Sequence, residues 1–314
     1  MTGTIGAPRR SPLFRLSALL CAVLPLCAAG CAGPSGPASD AARPATAAPA
    51  EELPVLPTFW PTAGATPAPA ATPSAGPGNA AAAGTTAARP LTGRTVLLDA
   101  GHNTGNAKYT REINRQVDIG NSRKECDTTG TSTDAGYSEA EYTLDVSRRA
   151  RTLLAERGAK VLFTQDGDRP WGPCIDERAR IGNEGKVDAA VSVHGDGAPA
   201  AAQGFHVIMP ANVKAGKADT EAIVASSRRL GLLLREQFKA ATGEPYADYI
   251  GDQGLDTRSD LGGLNLSKVP KVFIECGNMR NSGDAKRMTD PQWRQQAAQG
   301  IADALTAYLT TPAG

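Results

Sequence analysis

Histidine is scarce in this 314-residue chain: there are three, at positions 102, 194 and 206. Residues 1–92 contain no lysine at all. Net charge is nearly absent too, since 33 Lys+Arg against 32 Asp+Glu leave +1. A chain that grips nucleic acid needs a basic surplus, and here there is neither a surplus nor a basic run interleaved with aromatics, so a nucleic-acid partner is not expected. The uncharged apolar stretch Leu16 to Leu26 is too short to cross a bilayer as a helix, which takes about 20 apolar residues. The metal-binding HExxH pattern is missing as well. What the chain does have is unevenly spread. Residues 1–92 hold five Arg and three acids, whereas residues 93–314 hold 28 bases, 29 acids and all three His. The ionisable chemistry lies in the second segment.

Arg9, Arg10 and Arg15 precede the apolar stretch, and small residues follow it, the pattern of an export signal. Ala28-Ala29-Gly30-Cys31 resembles a bacterial lipobox, in which the Cys becomes the lipidated first residue of the mature protein, although Ala28 stands where that pattern usually has Leu, Val or Ile. The alternative is an ordinary cleavable signal with Cys31 incidental. Residues 1–31 are therefore expected to be a signal with a lipobox, and the chain to sit in the cell envelope, lipid-anchored on the outer face of the cytoplasmic membrane or otherwise secreted. From Ala32 to Thr92, 32 of 61 residues are Ala or Pro. Such a segment buries too little apolar surface to offset its ordering entropy. It is expected to be a disordered linker, spanning about 40 Å as a flexible coil, ahead of a catalytic domain at 93–314.

Export also interprets the cysteines. Cys21 and Cys27 would leave with the signal, so Cys126, Cys174 and Cys276 remain in the domain. In an oxidising compartment two of three should pair. Cys126 and Cys174 lie in loop-like sequence, whereas Cys276 ends an apolar strand, so a Cys126–Cys174 disulfide is expected. By the chain-entropy relation it is worth about 4 kcal/mol.

The domain alternates short apolar runs with helical periodicity. Strands are expected at 94–99, 159–164, 187–193, 204–209 and 269–275. Helices are expected from Glu139 to Gly158, over Arg178 to Asn183, from Asp219 or Thr220 past Phe238, and from Asp290 through Tyr308. That order predicts one α/β domain with a mostly parallel central sheet flanked by helices on both faces. In such sheets the working crevice lies off the carboxyl ends of the strands.

Three strands end in ionisable residues beside small ones: Asp99-Ala-Gly-His102, Ser192-Val-His194-Gly-Asp196, and Phe273-Ile-Glu275-Cys-Gly-Asn278. A single strand-end His is usually a satisfied polar residue. Two of them, each next to Gly, with a strand-end Glu, point to a catalytic zinc site, where imidazoles and one carboxylate leave a position open for water. The third donor would be Glu139 or Glu141, and spacing does not choose between them. A first-turn Glu also has a purely structural use, stabilising the helix dipole.

These residues resemble a known family. Val96-Leu-Leu-Asp-Ala-Gly-His102 is similar to the opening strand of the zinc-dependent N-acetylmuramoyl-L-alanine amidases of the type 3 class, and Ser138-Glu139-Ala-Glu-Tyr-Thr-Leu144 to their second motif. Val161 to Asp166, Arg178, Asn183, Ala190 to His194 and Val272 to Asn278 match the later segments in order. Glu275-Cys-Gly-Asn-Met279 and the two loop cysteines look most like actinobacterial members. The resemblance spans about residues 93–310. Asp196 stands where many relatives have Asn.

The resemblance implies hydrolysis of the amide joining N-acetylmuramic acid to L-Ala in peptidoglycan and muropeptides. It implies that His102, Glu139 and His194 hold Zn²⁺ and that Glu275 is the general base. Asp99 is expected either to orient a ligand His or to serve a turn. Asp196 and Arg258 are further candidates beside metal or substrate, and His206 is expected not to be a ligand. The chain is expected to act as a monomer. Three alternatives accompany this reading: a zinc carboxypeptidase on stem peptides, a non-catalytic peptidoglycan-binding lipoprotein, and a cysteine hydrolase pairing Cys276 with His194.

Overall fold

The strand Thr95–Ala100 (β1) is buried on both faces, and the difference between those faces organises the protein. Val96 and Leu98 point into the main apolar core, while Leu97 belongs to a small second cluster on the opposite side. The same alternation runs along its neighbours, because successive strand side chains leave opposite faces.

The computed structural model describes residues 89–312. The signal, Cys31 and the linker up to residue 88 lie outside the described residues. The fold begins slightly before residue 93: Leu91 is fully buried, and its N–H donates to the Arg157 carbonyl at 2.9 Å.

After β1 come a short helix α1 (Thr110–Ile113) and a hairpin of β2 (Gln116–Asp118) and β3 (Arg123–Glu125). Helix α2 (Glu139–Glu156) leads to β4 (Lys160–Phe163), and α3 (Ile175–Glu184) to β5 (Ala189–Asp196). Strand β6 (His206–Pro210) is followed by two-residue strands β7 (Lys214–Ala215) and β8 (Ala218–Asp219), then by α4 (Glu221–Thr242). Strand β9 (Leu255–Arg258), the single turn α5 (Gly262–Asn265) and β10 (Lys271–Asn278) precede α6 (Ser282–Thr289) and α7 (Pro291–Thr310).

The central sheet has the order β4-β1-β5-β10-β6-β9. Every pair is parallel except β10 with β6. This is the expected α/β fold with a mostly parallel sheet. The β2–β3 hairpin, the edge strand β9, helix α6 and the short elements α1, α5, β7 and β8 were not legible in the sequence. Leu-Asp-Thr-Arg in β9 is only partly buried, so it lacks the apolar run that marks a central strand.

Residues of α2, α4 and α7 pack over the Val96/Leu98 face in one core that includes Tyr142, Leu154, Leu234, Phe238, Trp293 and Ile301. Helices α3 and α5 lie on the other side, where the apolar cluster is small. Chain order leaves β1 for β4 on one side and for β5 on the other, so the strand order switches at β1, and the crevice opens beyond the carboxyl ends of β1 and β5. Cys126 and Cys174 are joined by a disulfide under that crevice, packed with Val117 and Ile119. Among the described residues no helix is long and apolar enough to cross a membrane.

Candidate metal centre

The polar end of the α3 face follows from strand register. His194 pairs with Glu275 across β5 and β10, and Glu275 pairs with His206 across β10 and β6. Side chains of paired residues leave the same face, so one row carries His194, Glu275 and His206. Phe273, two residues before Glu275, stacks on the His194 ring with centroids 5.2 Å apart.

His102 enters from the turn after β1. Its φ of 59° is left-handed, a strained conformation for a non-glycine residue. The surroundings hold it there. Its carbonyl accepts from Gln165 Nε2 at 3.1 Å and from Arg178 Nη2 at 3.0 Å. Its ring Nδ1 faces Asp127 Oδ1 at 3.2 Å and the Thr128 carbonyl at 3.1 Å. Nδ1 is thereby occupied, and Nε2 is turned to Glu139 Oε1 at 3.2 Å.

Helix α2 decides between the two glutamates. Ser138 caps it, and Glu141 reaches back to Ser138 N and Oγ at 3.1 and 2.6 Å in a capping box. Glu141 is spent on the cap. Glu139 is buried instead, with Oε1 at 2.9 Å from His194 Nδ1 and Oε2 accepting from Thr131 N at 2.9 Å. Two glycines make room. A Cβ on Gly101 would overlap the His194 ring, and one on Gly130 would come within 2.7 Å of both Glu139 Oε2 and His102 Cδ2.

The donor atoms of His102, Glu139 and His194 all lie within 4.8 Å of one another. Burial by itself would disfavour every charge here, yet the carboxylates of Glu139 and Asp127 push the His102 imidazole up to about 10. Burial likewise opposes the Glu139 anion, but the two imidazoles hold its carboxyl well below the usual range. Each group therefore favours positive charge at the centre, and two imidazoles plus one carboxylate are the donor types a catalytic zinc site uses. The residues fit a divalent ion.

Glu275 lines the same cleft of about 340 Å³ as the three donors, together with Asp196 and Arg258. Its Oε2 is buried and has no hydrogen-bond partner. Burial, reinforced by Glu139 and Asp196, pushes its carboxyl well above the usual range. Asp196 and Arg258 make their bonds elsewhere. Asp196 accepts from the Tyr249 hydroxyl and the Gly197 N–H at 2.8 and 2.7 Å. Arg258 forms a two-point pair with Asp260 at 2.8 and 2.7 Å.

A family profile described as N-acetylmuramoyl-L-alanine amidase matches residues 96–307. The chain belongs to this family. It is 37% identical over 226 residues to the N-acetylmuramoyl-L-alanine amidase Rv3717 of Mycobacterium tuberculosis, covering 70% of this chain and 88% of that protein. Among solved structures it is similar to the amidase Ami1 from Mycobacterium smegmatis, at 38% identity and TM-score 0.65, over 70% of this chain and 98% of that one. Ami1 from Mycobacterium abscessus gives 41% identity and TM-score 0.64, over 70% and 100%. The chain is thus an N-acetylmuramoyl-L-alanine amidase, an enzyme of peptidoglycan hydrolysis.

Within this amidase the expectation for Asp99 needs correcting. Asp99 bonds neither metal-centre histidine. It accepts from Lys271 Nζ at 2.7 Å, Arg178 Nη1 at 2.8 Å, Thr164 Oγ1 at 2.8 Å and Ser192 Oγ at 2.8 Å. It is fully buried next to the end of β1, and these four donors take up its carboxylate. The carboxylate that orients His102 is Asp127, which Arg178 Nη2 holds from behind at 3.0 Å. Asp127 and Arg178 were missed as site residues. A signal existed for Arg178: it shares the buried stripe of α3 with Ala179 and Gly182, where a charge requires a partner.

The cysteine-hydrolase alternative is also closed. Cys276 alternates to the opposite face of β10 from Glu275 and sits in the main core, where burial pushes its thiol well up. His206 is not among the clustered donors.

Proposed function

We propose that this amidase hydrolyses the lactyl–L-Ala amide of peptidoglycan with Zn²⁺ held by His102, Glu139 and His194, and with Glu275 as the general base. The observation that carries the reading is the unpartnered, buried Oε2 of Glu275 in the cleft the three donors line. Bound zinc supplies a Lewis acid that lowers the pKa of a water and takes up oxyanion charge. Glu275 accepts a proton from the attacking water as its oxygen bonds to the lactyl carbonyl carbon. The protonated Glu275 then delivers that proton to the nitrogen as the C–N bond breaks, so the products are the lactyl carboxylic acid and a free L-Ala amine. Asp127 fixes the His102 tautomer with Nδ1 turned away from the ion.

Digestion of purified muropeptides tests this. The protein is expected to generate free L-Ala amino termini, to stop when chelated and to recover when zinc is returned. Cleavage within the stem peptide without new L-Ala amines would indicate the carboxypeptidase, and no product with zinc bound would indicate a binding protein. Asp127→Asn is expected to weaken zinc binding about 10- to 100-fold, measured by competition with a chelator of known affinity. Unchanged affinity would remove Asp127 from its orienting role.

The reading extends to the whole chain as a signal at 1–31, a linker at 32–92 and a catalytic domain at 93–314. We place the protein outside the cytoplasmic membrane, anchored through lipidated Cys31 and acting as a monomer. The basic residues before Leu16, the Ala/Pro-rich composition, and a buried disulfide suited to an oxidising compartment support that placement.

A further inference from the structure

The groove at the metal centre continues past the donors into a second cleft. Gly130 and Thr131 line both, so the two spaces are contiguous. The second cleft, about 440 Å³, is within the size range of ligand pockets. Its walls are the turn after β1, with Thr104 and Ala107, and the segment from Thr129 to Ser132 with the start of α2. Its lining differs from the rest of the site. Five of its residues carry hydroxyls, Asn103 carries an amide, and none of the described residues lining it is charged. The metal cleft, by contrast, has Asp196 and Arg258 in its walls, and Arg258 is paired with Asp260, itself paired with Lys124.

The substrate is asymmetric in the same sense. Its lactyl carboxyl is consumed in the scissile amide, so the N-acetylmuramyl half is an uncharged sugar with hydroxyls and one acetamide. The stem-peptide half carries carboxylates. Charges placed in an uncharged cleft would give up water for no charged partner. Hydroxyl and amide side chains instead both donate to and accept from sugar groups.

Geometry orders the two halves the same way. Glu275 protonates the leaving nitrogen, so the amine half of the amide lies toward β10 and the acyl half away from it. Strand order puts β10 on one side of β5, which carries His194, and β1 on the other. Asn103 and Thr104 follow β1, and Glu275 does not line their cleft.

We propose that this uncharged cleft is the subsite for the N-acetylmuramyl sugar: the glycan lies over Thr104 and Ser132, and the stem peptide runs toward Arg258. This inference rests on Glu275 being the group that protonates the leaving amine.

The test follows kcat/KM of the zinc-loaded full chain on muramyl tripeptide, muramyl-L-Ala, and lactyl tripeptide, which lacks the sugar. Ala107→Trp fills the cleft with an indole at an exposed position. It should lower kcat/KM about tenfold or more on both muramyl substrates, the worth of about two neutral hydrogen bonds. On lactyl tripeptide the change should stay within about twofold, with zinc content unaltered. Thr104→Val removes one hydroxyl and should give the same pattern at about threefold to tenfold. It decides alone if Ala107→Trp fails to fold. Equal losses on all three substrates, no loss on any, or a loss confined to the two tripeptides overturns the proposal. If lactyl tripeptide turns over too slowly to follow, inhibition of muramyl-tripeptide cleavage replaces it. Ala107→Trp should then raise Ki for N-acetylmuramamide about tenfold and leave Ki for the free tripeptide within about twofold; any other outcome overturns the proposal. Full turnover by Glu275→Gln would remove the general-base reading itself, whereas a flat substrate pattern beside an inactive Glu275→Gln removes only the subsite.

Discussion

Glu275→Gln should abolish most turnover, lowering kcat by about 10²- to 10⁴-fold, the contribution of a positioned general base. The substitution keeps the shape of the side chain and removes only its capacity to take a proton. Fold and metal loading should survive it, because Glu275 is outside the donor cluster and makes no hydrogen bond through Oε2. Stability should be equal or slightly higher, since a neutral amide avoids the burial penalty that pushes this carboxyl up. Rates of L-Ala amine release, zinc content and Tm measured on one preparation separate the effects. A variant that holds zinc and turns over near the parent rate would exclude Glu275 as the base.

Arg178→Leu is expected to be the most destabilising single change near the site, costing about 3–5 kcal/mol. The guanidinium donates to Pro173 O, Asp99 Oδ1, Ala100 O, His102 O and Asp127 Oδ2, with a long contact to Thr164 Oγ1 at 3.5 Å. Removing it leaves two buried carboxylates without their shared cation and takes one donor from each of the Ala100, His102 and Pro173 carbonyls, of which His102 keeps Gln165 Nε2. Against the opposing effect of burial, Lys271 and then Arg178 hold the Asp99 carboxyl below the usual range, and Arg178 with His102 brings Asp127 to about 2. For a domain of this length each kcal/mol moves Tm by about 2–4 °C, so a fall of roughly 10 °C is expected by calorimetry. Arg178→Lys should rescue little, because a point charge cannot reproduce a planar fork with five donors. A loss below about 1 kcal/mol for Arg178→Leu would show that the network contributes little.

The strand ends were legible because ionisable side chains near glycine interrupt apolar runs, and those interruptions survive in one dimension. His102, His194 and Glu275 stand out in that way. The choice of Glu139 over Glu141 was not legible from spacing; it depends on which carboxyl the helix cap takes, and the capping box of Ser138 takes Glu141. Asp127 escaped notice because its value comes from proximity to a residue 25 positions away across a loop. Asp99 was misjudged for the converse reason. It is close to His102 in sequence, but its carboxylate is taken up by buried donors, one of them Lys271, 172 residues on. His206 was expected not to be a ligand, and it is absent from the donor cluster. The hairpin β2–β3 and the edge strand β9 were unreadable because neither has a face that is consistently buried.

The buried quartet behind the cleft has a consequence for how substrate arrives. Asp99, Asp127, Arg178 and Lys271 are joined in one chain of ion pairs with two charges of each sign. Their fields cancel beyond contact range. Asp196 and Arg258, which line the cleft, add one charge of each sign. The cleft consequently has almost no monopole with which to draw or repel a charged polymer through solvent, and encounter rates should respond only weakly to ionic strength. Recognition is left to shape and hydrogen bonding after the glycan has landed, which suits an enzyme whose substrate is an immobile wall rather than a diffusing molecule.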